Sequence, residues 1–258
     1  MQITNLIENT TENNELTAEH GLSLYIETCR HKILFDMGQT EKFAENAEKL
    51  GIDLTEIDIA ILSHGHYDHG GGIKHFFEIN KKASLYISKY AFEEHYNAEK
   101  KYIGIDTFLA KSDRLIFTDD ICKIDEGLTL YTCNQNNRPY DVGNFGMSVK
   151  SDNNFLLEDF RHEQYLLIEE DGKNVLISGC SHKGIMNISD WFRPDILIGG
   201  FHFSKFPLDE KLAEYAKTLA AFDTTYYTCH CTGIEQYNFM KNYIPNIHYL
   251  STGKKVII

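Results

Sequence analysis

The ten residues Ser63-His64-Gly65-His66-Tyr67-Asp68-His69-Gly70-Gly71-Gly72 constrain this chain more than any other stretch. They follow directly on the apolar run Ile57–Leu62, which predicts a buried strand. Where the chain leaves that strand still extended, His64 and His66 lie two apart and project from the same side. Asp68 and His69 then turn across a small gap, and three glycines let the backbone fold closely round the cluster. Imidazole and carboxylate together suit zinc, manganese or iron. One ion would take His64 and His66, a second Asp68 and His69. The chain has 12 histidines, so a chance pair would mean little. Four ligand-type residues packed immediately after a strand mean more, and the fold must therefore present a strand end to a metal centre.

Bulk properties narrow the setting. A chain of 258 residues can bury a full core and reads as one domain over residues 1–258. Its 25 basic and 38 acidic residues give a net charge of −13, which argues against nucleic acid as the partner. No apolar run approaches the ~20 residues of a membrane helix, so no membrane role is expected. The opening Met1-Gln2-Ile3-Thr4-Asn5-Leu6 carries no secretory pattern. The six cysteines, at 29, 122, 133, 180, 229 and 231, have no framework spacing, so reduced thiols in a cytoplasmic protein are expected.

Strand and helix patterns alternate without a linker or repeat. Ser23–Glu27 and Lys32–Phe35 read as strands. Gln39–Leu50 reads as a helix with Phe43, Ala44, Ala47 and Leu50 on one face. A helix begins near Gly72, and a strand follows at Ala83–Ile87. The C-terminal part repeats the logic, with strands at Asn174–Ile177, Asp195–Ile198 and Thr225–Thr228 and helices at Ile185–Phe192 and Glu210–Phe222. Polar groups recur just past the strand ends, where α/β proteins place their sites. The stretch 91–159 carries little periodicity, and the loop Asn134–Asn144 within it is a candidate substrate rim.

The motif His64-x-His66-x-Asp68-His69 resembles the signature of the metallo-β-lactamase superfamily. Further segments occur in the order of one branch: Glu19-His20-Gly21-Leu22-Ser23, Ile33-Leu34-Phe35-Asp36-Met37-Gly38, Ser178-Gly179-Cys180-Ser181-His182, Gly199-Gly200-Phe201-His202 and His230-Cys231-Thr232-Gly233. This branch is named for methanopterin biosynthesis, and its members resemble dihydropterin ribofuranosyl-aminobenzene-phosphate synthase. The resemblance covers roughly residues 1–235. It implies an α+β fold, the four-layer αββα metallo-β-lactamase-like sandwich, and two divalent metal ions, zinc before manganese or iron.

The resemblance also implies further ligands from distant strand ends. His182 is the candidate third imidazole of the first metal, because a glycine-flanked strand end suits ligand approach. His162, in Arg161-His162-Glu163-Gln164, competes with it by position. His230 resembles the family's last histidine and would serve the second metal. Cys180 stands where many relatives carry a bridging aspartate. It is either a soft ligand favouring zinc or a small buried hydrophobe. Asp36 reads as an orienting residue rather than a ligand. His20 could reach the rim, while His31, His75, His95 and His248 lack motif context and read as packing or solvated histidines.

The implied chemistry is that of a binuclear hydrolase acting on a small phosphorylated or ester-type molecule through a metal-bridging hydroxide. Asp68 would ligate and accept that hydroxide's hydrogen bond, and His202, outside both ligand sets, would protonate the leaving group. The branch name offers an alternative, a synthase or transferase acting on a pterin-like small molecule. A non-catalytic metal-stabilised binding module is a further option. Oxygen reduction at a di-iron centre is disfavoured, because Gly65 stands where that chemistry places a carboxylate and the chain has no room for a flavin domain.

Overall fold

The computed structural model describes residues 1–152 and 154–258, which divide into two compact units. The first comprises Met1–Asp119, Gly143–Gln164 and Ser251–Ile258, and the second Asp120–Val142 and Tyr165–Leu250.

The first unit is built on a seven-stranded mixed sheet. Its strands are β1 (Gln2–Ile7), β2 (Ser23–Glu27), β3 (Lys32–Phe35), β4 (Ile59–Ile61), β5 (Ser84–Ser88), β7 (Leu115–Thr118) and β17 (Lys255–Ile257). Their order is β17-β1-β2-β3-β4-β5-β7. β3, β4, β5 and β7 run parallel, and β1, β2 and β17 add antiparallel pairings. A three-stranded sheet, in the order β11-β10-β6, joins β6 (Glu94–Tyr96), β10 (Ser148–Ser151) and β11 (Asn154–Leu157). Helix α1 (Lys42–Lys49) buries Phe43, Ala44 and Ala47 in a core with Leu6, Leu34, Ala60 and Leu62. Asn46 is buried on the same helix and donates to the carbonyls of Leu6 and Thr17 at 2.8 Å each, so its amide is satisfied. Helix α2 (Tyr67–Gly70) and helix α3 (Ile73–Ile79) follow β4.

The second unit holds another seven-stranded sheet. Its strands are β8 (Ile121–Asp125), β9 (Leu128–Tyr131), β12 (Tyr165–Glu170), β13 (Lys173–Ile177), β14 (Ile196–Gly199), β15 (Thr225–Thr228) and β16 (Ile247–Tyr249), in the order β16-β15-β14-β13-β12-β9-β8. From β13 to β16 the pairings are parallel. Helices α4 (Ile185–Phe192), α5 (Glu210–Ala220) and α6 (Ile234–Met240) make the crossovers. Asp209 caps α5 by accepting from the Leu212 amide at 3.2 Å. The buried stripe Leu212, Ala216 and Leu219 packs with Phe201, Phe203 and Tyr226. Ser23–Glu27, Lys32–Phe35, Ile185–Phe192 and Thr225–Thr228 keep their predicted bounds, and the other predicted elements appear with shifted ends; the predicted β4 strand shortens from Ile57–Leu62 to Ile59–Ile61. Among the described residues no helix is long and apolar enough to cross a membrane.

Tyr226 gives this core a pH signature. Burial pushes its phenol from 10.0 up to about 12, although hydrogen bonding with Ser189 and Thr224 pulls the other way; the hydroxyl donates to the Leu219 carbonyl at 3.2 Å. The fold therefore keeps a proton that the unfolded chain releases above pH 10. Stability that is fully present below pH 10 should be lost as pH rises towards 12, by up to ~3 kcal/mol for this group. Denaturant melts on either side of pH 10 should show that slope in the native chain and a shallower one in Tyr226→Phe. Equal slopes would remove Tyr226 as its source.

Candidate metal centre

In the first unit the strand ends carry out the placement that the motif requires. β4 hands the chain to Ser63 and His64, and His66 is still extended at φ −96° and ψ 147°. The chain then closes into α2, so Asp68 and His69 sit on one helical turn, where a non-regular turn was expected. His66 pairs with Gly104 across an isolated bridge, and the Tyr67 amide donates to the Ile103 carbonyl at 2.9 Å. The His64 ring lies 4.5 Å from that of His66 and 4.2 Å from that of His69, centroid to centroid. All four motif residues are buried, Asp68 being 8% exposed. The structure thus brings the four local candidates together.

One carboxylate orients two of the imidazoles. Asp36, fully buried just past β3, accepts from the Ser63 amide and the Ser63 hydroxyl at 2.7 Å each. The same carboxylate lies 2.6 Å from His69 Nδ1. A carboxylate only accepts, so His69 carries its proton on Nδ1 and presents the Nε2 lone pair. The Ser63 hydroxyl spends its one proton on Asp36, so it accepts from His64 Nδ1 at 2.8 Å, and His64 also presents Nε2. These donors fit a metal ion, whose histidine ligands commonly hold the second ring nitrogen in this way. Asp36 thus orients, as its sequence position implied. His20 is largely exposed and brings Nε2 to 3.3 Å from Asp68 Oδ2, steadying that carboxylate.

His162 takes another part. Its Nδ1 accepts from the Gly65 amide at 2.9 Å, which pins the loop between His64 and His66. A neutral ring accepting at Nδ1 carries its proton on Nε2, while the ligand atoms of His66, His95 and His162 also lie close enough together to hold a metal ion. His162 stacks on His95 at 3.9 Å with the planes 19° apart, and the buried Glu158 accepts from His95 Nδ1 at 2.7 Å. Sequence reasoning read His95 as a packing or solvated histidine, of which it is the packing kind, and did not name Glu158. They lie 63 residues apart and meet only because β6 and β10 pair, so no local pattern could have announced them.

In the second unit the candidates also follow strand ends. Cys180 and His182 come after β13, His202 after β14 and His230 after β15. The rings of His182 and His202 are 4.4 Å apart. Burial pushes the Cys231 thiol up, but hydrogen bonds with Cys180 and His202 and the charges of His230 and His202 outweigh this and hold it well below 9.0. The loop flagged as a rim contributes Asn134, Gln135 and Asn136 to a cavity of about 580 Å³ with Tyr131, Trp191 and Phe192. Neither the motif nor the strand-end histidines line that cavity.

A profile of the metallo-β-lactamase superfamily matches residues 16–132, which contain the whole motif. The uncharacterized protein MJ0448 of Methanocaldococcus jannaschii is 30% identical over 260 residues, spanning 96% of this chain and 97% of its own. The chain belongs to the metallo-β-lactamase superfamily. From the same organism, 7,8-dihydropterin-6-methyl-4-(β-D-ribofuranosyl)-aminobenzene-5′-phosphate synthase is 27% identical over 273 residues, covering 94% of this chain and 91% of its own. The crystal structure of Tm1679, a metal-dependent hydrolase of the β-lactamase superfamily, is 28% identical with a TM-score of 0.86, covering 100% of this chain and 99% of that one. The metallo-β-lactamase α+β sandwich expected from the motif is therefore the fold, and the superfamily supports a metal-dependent enzyme at a coarse level.

Proposed function

We propose that this metallo-β-lactamase superfamily member is a binuclear metal-dependent hydrolase of a small phosphorylated or ester-type molecule. The observation that carries this reading is the Asp36 carboxylate, which fixes His69 directly and His64 through Ser63 with Nε2 presented. His64, His66, Asp68 and His69 would hold the divalent ions, zinc before manganese or iron, with His182 and His230 as the further ligands. Bound ions supply Lewis acidity, lowering the pKa of water and polarising a carbonyl or phosphoryl group. The chain's own residues set that chemistry up. Asp36 and Ser63 hold the imidazole protons on Nδ1, His20 steadies Asp68, and His162 holds the loop at Gly65. The net charge of −13 favours a small-molecule over a nucleic-acid partner, and we place the protein in the cytoplasm. The likeness to Tm1679 supports the hydrolase class.

A second reading, a pterin-related synthase or transferase, is favoured by the 27% identity to the methanopterin-type synthase. Metal analysis of the freshly purified protein, with product analysis on a phosphodiester and ester panel beside a pterin substrate, separates the two. His64→Ala should lower the bound metal and reduce turnover by at least about 10²-fold. Wild-type protein that retains no divalent ion after incubation with zinc, manganese or iron would overturn both readings.

A further inference from the structure

The second unit contains a donor set, Cys180, His202 and Cys231, that the motif reading uses only in part. β13, β14 and β15 are adjacent and parallel, with Ile177 opposite Ile198 and Gly199 opposite Thr228. These strands end at Ile177, Gly199 and Thr228. Three residues beyond each end lies a ligand-type side chain: Cys180, His202 and Cys231. By this register His202 comes out level with Cys231, and Cys180 within one residue of them, at the C-terminal end of three adjacent strands. Their ligand atoms lie within 4.8 Å of one another. Both cysteines are buried, and His202 is partly open.

The surrounding backbone is shaped to this grouping. A Cβ on Gly200 would fall 2.4 Å from Cys231 Sγ, so the glycine leaves room for that sulfur. His202 holds a left-handed φ of 57°, a conformation that a non-glycine residue keeps only when its surroundings impose it. Those surroundings are well tied. The Gly200 amide donates to the Gly179 carbonyl at 2.8 Å, the Phe201 amide to Thr232 Oγ1 at 2.8 Å and the Ser204 amide to the Cys231 carbonyl at 3.0 Å.

We propose that Cys180, His202 and Cys231 form a thiolate-rich metal site in this unit that takes a soft divalent cation, zinc foremost. Two sulfurs and one imidazole match zinc or a thiophilic transition metal, and with no carboxylate in the set they disfavour magnesium and calcium. Three protein ligands leave a fourth position for water or a ligand atom. Binding displaces the two thiol protons to solvent. His202 is then a ligand, not the free proton donor expected from sequence. None of its ligands comes from the His64–His69 motif itself, and Cys180, also a candidate ligand of the motif's ions, is the residue on which the two readings compete.

The test uses the full chain, stripped by chelator under reducing conditions and titrated with cobalt(II) alone. A thiolate-to-cobalt charge-transfer band should appear in the near ultraviolet, both in wild type and in His64→Ala. Cys231→Ser should abolish it. His202→Ala should weaken cobalt binding by at least about 100-fold, more than loss of an outer hydrogen-bond partner costs. A band that survives Cys231→Ser but vanishes in His64→Ala would assign Cys180 to the motif's metals and overturn the proposal. Because Cys231→Ser could fail to fold, X-ray absorption of the wild-type zinc protein provides a second measurement. Sulfur scatterers at about 2.3 Å are expected, and a purely nitrogen and oxygen shell would overturn the site.

Discussion

Asp36→Ala should cost this protein most of its bound metal and a large part of its stability together. The side chain is fully buried and accepts three hydrogen bonds, from the Ser63 amide, the Ser63 hydroxyl and His69. Hydrogen bonds to a charged group contribute about 1.5–3 kcal/mol each, and their donors would be left buried and unpaired. Loss of about 3–5 kcal/mol follows, in the range measured when one partner of a buried charged pair is removed. Metal affinity should fall about 10–100-fold, as it does when an outer partner of a ligating histidine is lost. The effect is double here, since His64 and His69 both lose their orientation. Asp36→Asn should be milder in stability, because its shape is kept, yet its amide nitrogen would confront one of the present donors. Melts and metal analysis of the two variants would decide. Unchanged metal content in Asp36→Ala would show that the ligands are held by something other than this carboxylate.

Gly65→Ala should be the second severe change, and for steric reasons. A Cβ there would sit 2.1 Å from the Ala91 carbonyl oxygen and 2.8 Å from its carbon. Both are backbone atoms that cannot swing aside as a side chain would. Overpacking usually costs about 1–3 kcal/mol, and this contact lies beyond the usual case. At about 2–4 °C per kcal/mol for a chain of this size, Tm should fall by at least about 5 °C. Because Gly65 separates His64 from His66 and donates to His162, metal binding should fall as well. Gly51→Ala is the comparison. Nothing lies within 4 Å of its Cβ, so only its φ of 72° resists, at about 1–2 kcal/mol. If both variants melted alike, the crowding at Gly65 would not matter to the fold.

The sequence revealed elements wherever one face is buried over several residues. Ile185–Phe192 and Thr225–Thr228 were predicted with the bounds they have, because apolar residues there recur at the period of the element. The strands of the middle were hidden for the opposite reason. Ile121–Asp125 is only half-buried and carries Lys123, and Asn154–Leu157 is exposed along its whole length, so neither shows an inward face. Helix Tyr67–Gly70 is a single turn, too short for any period to register. The site divides in the same way. The four motif residues are close in sequence and were legible as ligand types. The roles of His162, His95 and Glu158 depend on tautomers and on pairings of distant strands, which residue identity does not carry.

The left-handed turns at the strand ends bear on how such a chain could be engineered. Asp36, Ser181, His202 and His230 all hold φ between 49° and 60° without being glycine. Each such residue costs of order 1–3 kcal/mol. Glycine at Ser181, His202 or His230 would relieve that cost and remove the side chain that the turn carries. A thermostability campaign guided by melting temperature alone would therefore be drawn to His202 and His230, both proposed metal ligands, but not to Asp36, whose three buried hydrogen bonds outweigh its strain.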